Sequence, residues 1–361
     1  MKSKVDAEAF AAAVKAVSNI LKKTRIPQFG EVRVQFADDG CRVSATDLSS
    51  WLSADIDARG DEFSFVFRNT RKMLRTLRHF HGELTVEPFT EGNDRKVYLH
   101  TGDMAGEFPV LEDDAHGPIP RFEPLHRYAV DTAALYRRVQ SVAYATRSQS
   151  QRPLYGGVRF QDKRLWCVDG YRMAIHEDAA LNVAERFVLS ASALKQLRVF
   201  RAAEGELLVG AKHASITAGG LTLTCDVIEW DDDLKIETAL PKTIGESYRV
   251  SRKQYLDALN YLADCTNAKE VNGVLFDGGR LLARGRHGKF AAKVDIAEGT
   301  ATVRYGFNLA YMKQALEQLK DVEYVRIDAI SDISPVVLHG GGVTAMVLPV
   351  RMSATRDAKA A

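Results

Sequence analysis

Four groupings in the sequence bring together residue types that do chemistry elsewhere. Ser192-Ala193-Leu194-Lys195 has the S-x-x-K spacing of a nucleophilic serine beside a lysine. No S-D-N or K-T-G partner follows it, and Ser192 falls in the first turn of a predicted helix, where a serine caps or faces solvent. His79-Phe80-His81 sets two imidazoles close together, but no acid or cysteine stands at ligand spacing. Asp47 and Asp169 follow Phe36 and Phe160 by 11 and 9 residues, and a repeated aspartate in a strand-end turn reads as structural. Gly340-Gly341-Gly342 lacks a following helix with Lys-Ser/Thr, so it reads as a turn and not a phosphate cradle. Cys41, Cys167, Cys225 and Cys265 are far apart and form no C-x-x-C pair, which fits reduced thiols. The reading is therefore no catalytic residue, no metal site and no cofactor. The chain reads as a binding protein and not an enzyme.

The elements that must carry any binding surface repeat three times along the 361 residues. Val5-Asp6 precedes Phe10, Val14 and Val17; Val130-Asp131 precedes Leu135, Val139 and Val142; Val250-Ser251 precedes Tyr255, Leu259 and Leu262. Each copy is a strand-like valine, an N-capping Asp or Ser, and apolar residues along one helical face. A hairpin follows each helix, with Val34-x-Phe36, Val158-x-Phe160 and Val274-x-Phe276 in the outgoing strands. Second helices are read as beginning near Phe65, Phe187 and Tyr305. The six predicted helices span 7–25, 65–80, 128–147, 187–201, 250–264 and 305–320. Spacing near 120 residues is too long for a solenoid. The expectation is an α+β chain of three similar domains, 1–125, 126–246 and 247–352, with a small polar tail at 353–361.

Ile333 to Val350 has no Asp, Glu, Lys or Arg over 18 residues, but Pro335, Pro349 and the triple glycine make it a hairpin and not a membrane span. Met1-Lys2-Ser3-Lys4-Val5-Asp6 has no apolar signal region. A cytoplasmic location follows as the expectation.

The net charge of +2 says little by itself. Its distribution says more. Arg68, Arg71, Lys72, Arg75 and Arg78 crowd one predicted helix with no acid. The six helices together carry a large basic excess, and the remaining strands and loops are net acidic, as in Glu112-Asp113-Asp114 and Asp231-Asp232-Asp233. If the helices share a surface, it attracts phosphate backbones without reading base sequence.

Specific local sequence then resembles one family, the bacterial DNA polymerase III beta subunit or sliding clamp. Val168-Asp169-Gly170-Tyr171-Arg172-Met173-Ala174 resembles its T-D-G-H-R-L-A segment, and Val347-Leu348-Pro349-Val350-Arg351-Met352 its V-M-P-M-R-L. Tyr305-Gly306-Phe307-Asn308-Leu309-Ala310-Tyr311, Thr46-Asp47-Leu48 and Phe108-Pro109-Val110-Leu111 also match, in order, from about residue 2 to 352.

The resemblance implies a head-to-tail homodimer closing a six-domain ring. Its helices would face duplex DNA without sequence specificity, and its strands would form the outer wall. The DNA-facing cations it implies are Lys22, Lys23, Arg25, Arg71, Lys72, Arg75, Arg78, Arg137, Arg138, Arg147, Arg152, Lys195, Arg198 and Arg201. It also implies a cleft between domains two and three that takes short linear motifs. The partners would be the polymerase III alpha subunit, clamp-loader subunits, other polymerases and repair proteins. The cleft residues are Gly170, Arg172, Met173, Tyr311, Ile333, Val347, Leu348, Pro349, Val350, Arg351 and Met352, with Arg172 and Arg351 as donors to peptide carbonyls.

There are departures. Tyr171 replaces the usual histidine and Val168 the threonine, and the family's F-P-D-Y-R-R stretch is here Asp233-Leu234-Lys235-Ile236-Glu237-Thr238. An altered motif preference is expected. The dimer contact implied is Val97–Phe108 against Leu262–Thr266, where Cys265 and Thr266 stand in place of larger aliphatics. The alternative reading is a divergent clamp-fold accessory or inhibitory protein with altered partner specificity.

Overall fold

The structure is a computed structural model. It describes the chain except for residues 23–26, 114–116, 148–150, 231–235, 244, 267–272, 286–287, 321 and 353–361. The helices are α1 (Ala7–Val17), α2 (Thr70–Leu77), α3 (Thr132–Ala143), α4 (Ala191–Leu194), α5 (Ile236–Ala239), α6 (Arg252–Cys265) and α7 (Leu309–Gln318). Among the described residues every strand pairing is antiparallel, giving the expected α+β class. No helix among them is long and apolar enough to cross a membrane.

The threefold repeat is plain in the caps. Asp6 accepts from Ala9 N–H at 2.8 Å, Asp131 from Ala134 N–H at 2.8 Å, and Ser251 from Gln254 N–H at 3.4 Å. Each cap satisfies an orphan donor of the first turn and contributes about 1 kcal/mol. The nine apolar positions of the three helical faces are all buried. The three hairpins form in register, pairing Arg33–Ala37 with Gly40–Thr46, Gly157–Gln161 with Arg164–Val168, and Val274–Asp277 with Arg280–Gly285.

The second helices begin later than the sequence suggested. Phe63–Phe67, Phe187–Ser190 and Tyr305–Phe307 are strands, paired to the outgoing strand of each hairpin. Their buried aromatic and β-branched residues suit a pleated face. Helix α2 starts only where Asn69 accepts from Lys72 N–H, and α7 where Asn308 accepts from Tyr311 N–H. Helix α1 stops at Val17 because Ser18 and Asn19 side chains capture the Lys15 and Ala16 carbonyls. Helix α4 has four residues, continued by a 3-10 segment over Lys195–Val199.

The chain forms two compact units. One comprises Met1–Tyr136 with Ser192–Val227, the other Arg137–Ala191 with Ile228–Ala361. In the first unit, Leu221–Ile228 pairs with Ser50–Ile56, with Leu223 opposite Leu52. In the second, Arg172–Glu177 pairs with Val343–Val347. A buried cluster of Trp166, Val168, Met173, Ile175, Ile236, Val337 and Met346 lies beneath that second junction.

Candidate functional site

The cleft residues assemble in the second unit around a backbone seam. Arg172 stands opposite Val347 and Met173 opposite Met346. The strand then runs on, with Leu348 N–H donating to Tyr171 O and Val350 N–H to Gly306 O, both at 2.9 Å. Residues 347–350 are thus stitched to the Gly170–Arg172 turn on one side and to the entry of α7 on the other. Gly306 is required there: a Cβ would lie 2.3 Å from Val350 O. Gly170 adopts φ +90°, which a side chain disfavours.

Asp169 builds the turn. Its buried carboxylate accepts from Tyr171 N–H at 2.9 Å, Arg172 N–H at 3.1 Å and Arg172 Nε at 2.9 Å. Asp47 does the same in the first repeat, accepting from Ser49 and Ser50 and pairing with Lys22. The repeated aspartate is therefore a turn-builder with a cation attached.

Arg172 is only 8% exposed. It also donates to Gln314 Oε1 of α7, and its guanidinium lies 4.4 Å from the Tyr311 ring centroid and 5.4 Å from that of Tyr144. In this arrangement it is a strut between the cleft turn and α7, its Nε committed to Asp169 and its Nη1 to Gln314. Met173 and Val347 are 1% exposed and form the floor beneath. The open surface consists of Tyr171, 52% exposed, with Tyr311, Leu348, Pro349 and Val350 partly exposed beside it. The Tyr171 and Tyr311 rings lie 6.3 Å apart. Arg351 is exposed, and so is Ile333, at 69%. Met352 faces a different feature, an apolar pocket of about 170 Å³ walled by Leu275, Leu282 and Phe290.

Sequence reasoning missed Tyr155, Trp166, Trp230, Ile236 and Leu240, which pack at or against the cleft floor. Ile236 belongs to the departing stretch and is buried at 6%. Residues 233–235 of that stretch, and the tail 353–361, lie outside the described residues. The signal that could have found Ile236 was an apolar residue set between Lys235 and Glu237 in a charged run.

The cations differ in exposure and in what they already bind. On α2, Met73 and Leu77 turn inward while Arg71, Lys72 and Arg75 are exposed, with Arg78 following. Arg71 and Lys72 sit in the first turn, where the helix dipole disfavours positive charge by about 0.3–1 kcal/mol each. Arg137, Arg147, Lys195, Arg198 and Arg201 are also exposed. Arg152 is exposed with its guanidinium 6.0 Å from the Tyr155 ring. Lys22 is tied to Asp47, and Arg138 to Asp178 with a side chain 12% exposed. These two have less charge to offer a ligand than the sequence suggested. Lys23 and Arg25 lie outside the described residues. Burial pushes the Asp47 carboxyl up, but bonds from Lys22, Ser50 and Ser49 outweigh it and hold the group below the usual carboxylate range. Among the described residues no cluster of His, Cys, Asp and Glu is suited to a metal ion.

These elements define a DNA sliding-clamp fold. The chain is similar over nearly its whole length to the DNA polymerase III beta subunit from Thermotoga maritima, at TM-score 0.84 and 19% identity, covering 98% of this chain and 100% of that one. A putative beta subunit from Eubacterium rectale gives 0.86 and 15%, covering 97% and 99%. A sliding clamp from Pseudomonas aeruginosa bound to griselimycin gives 0.79 and 16%, covering 98% and 100%. These likenesses establish the fold. By sequence, no family model and no curated protein matches the chain.

Proposed function

We propose that this chain is a sliding clamp: a non-catalytic processivity factor whose protomers, each of three domains (1–125, 126–246 and 247–352), pair head to tail and encircle duplex DNA. The observation that carries the reading is full-length likeness to beta subunits, covering 98% of this chain and 100% of the Thermotoga maritima one. The uncompensated cations of α2 support contact with phosphates that is mobile and blind to sequence. A closed ring holds its track by topology, so individual contacts need not be tight.

Two open strand edges support the dimer. The outer edge of residues 105–109 and that of Gly288–Lys293 pair with no other strand among the described residues. The first carries Glu107, 3.6 Å from Lys96, and the second Lys289 and Lys293, the latter paired with Asp295, so the edges are of opposite charge with Lys289 the cation left without an ion pair among the described residues. Such edges invite strand addition. Leu262, expected at this contact, is fully buried in its own core; Tyr261, 48% exposed, and Asp264 are exposed beside it, and Cys265 is partly exposed.

The cleft around Tyr171, Tyr311 and Leu348 is proposed to hold partner motifs. The clamp bound to griselimycin supports a ligand-binding surface on this fold. With Ile236 in its floor and Tyr171 at its lip, this cleft takes a motif preference of its own. Its partners would be polymerase and clamp-loader subunits in the cytoplasm. Light scattering across a concentration series tests the assembly. The expected mass is near twice 40.0 kDa and stable on dilution. A persistent monomer would refute closure without help.

A further inference from the structure

A groove in the first unit runs between α1 and the 3-10 segment Lys195–Val199 and encloses about 690 Å³. That volume lies in the range of pockets that hold a small molecule. One wall is made of Ala9, Ala12 and Ala16 from α1, whose methyl groups leave it shallow and apolar. Lys15, Arg198 and Arg201 stand at the rim, all exposed. Among the described residues none of these three forms an ion pair.

The cations are positioned as well as unpaired. Arg198 Nη2 lies 3.5 Å from both Asn19 O and Asn19 Oδ1. Asn19 Nδ2 in turn donates to Lys15 O at 2.9 Å and Ala16 O at 3.1 Å. Arg198 is thereby held toward the helix end that presents Lys15. The carboxylate of the lining, Asp55, is already engaged by Arg42 through two bonds of 2.6 and 3.0 Å. Three positive charges thus line one cavity whose carboxylate, Asp55, is already paired with Arg42, and an anion entering it meets cations with no ion-pair partner of their own.

We propose that this groove seats a phosphate carried on a flat or apolar body, with the phosphate among Lys15, Arg198 and Arg201 and the body against Ala12 and Ala16. Two sources carry that chemistry: a free mononucleotide, and one nucleotide of a DNA strand. The clamp reading needs no discrete pocket, so the two stand or fall separately.

The test is titration of the full chain, labelled at alanine methyl groups, with deoxyadenosine monophosphate, inorganic phosphate and a short single-stranded oligonucleotide. The methyl resonances of Ala9, Ala12 and Ala16 should shift and saturate with the mononucleotide. Inorganic phosphate should bind about tenfold more weakly, and Arg201→Ala should weaken the mononucleotide about tenfold. Ala12→Leu, at an exposed position, fills the wall and should abolish mononucleotide binding. If the oligonucleotide shifts the same methyl groups and displaces the mononucleotide, the source is DNA; if only the mononucleotide shifts them, it is the free nucleotide. Silence of Ala12 and Ala16 with both ligands would overturn the proposal. So would an Ala12→Leu variant that binds as the parent does, or inorganic phosphate that binds as tightly as the mononucleotide.

Discussion

Replacing Arg172 with alanine should cost the second unit about 4 kcal/mol. The carboxylate of Asp169 is 4% exposed and keeps only the Tyr171 and Arg172 N–H bonds once the guanidinium is gone. Removing one partner of a buried ion pair costs about 3–5 kcal/mol, because the remaining charge is left without its partner. Loss of the stacking on Tyr311 and Tyr144 adds roughly 0.5–1 kcal/mol. Trp166 and Trp230 both lie in the second unit, so in a Trp51→Phe background their fluorescence reports its urea unfolding. A double-mutant cycle with Asp169→Asn isolates the pair and should return a coupling of about 2 kcal/mol or more. Arg172→Lys should fall between, since an ammonium cannot span Asp169 and Gln314 as the planar fork does. A loss under about 1 kcal/mol for Arg172→Ala, or a coupling near zero, would refute the strut.

Other outcomes follow from single positions. Leu48 is 57% exposed at φ 75°, so Leu48→Gly should stabilise the protein by about 0.5–1 kcal/mol in thermal unfolding, the left-handed strain exceeding glycine's entropy cost. The Asp47 carboxyl is held below its unfolded value, so its stabilisation is present above pH ~4 and lost as pH falls through the folded value. Acid unfolding followed by circular dichroism should therefore be flatter for Asp47→Asn. Gly306→Ala drives a methyl group into Val350 O and should cost about 1–3 kcal/mol while weakening ligand binding at the cleft. Arg71→Ala with Arg75→Ala should lower the salt dependence of DNA binding by up to about two phosphate contacts, with the solution mass unchanged.

What the sequence disclosed was whatever is decided within one turn or one hairpin. The caps Asp6, Asp131 and Ser251, the faces they precede and the three hairpins rest on local patterns, and all formed. The late starts of α2 and α7 were also local, written in Asn69 and Asn308. They were masked because the apolar residues at Phe65 and Tyr305 continue smoothly into a helical pattern. Pairings across long separations were not legible. Arg172 finds Gln314 at 142 residues' distance and Arg138 finds Asp178 at 40. Both arginines read as available donors until the fold supplied their partners. The candidate cleft residues came from motif resemblance, which did not disclose their division into a buried floor, an internal strut and an exposed lip.

The central claim is topological, and passive assembly tests it most directly. Protomers separated in mild denaturant and then returned to native buffer with a nicked circular plasmid should close around it. The account predicts that protein co-elutes with the circle in high salt and is released when one restriction cut makes the plasmid linear. Equal loss from circle and linear DNA in the same salt would contradict encirclement.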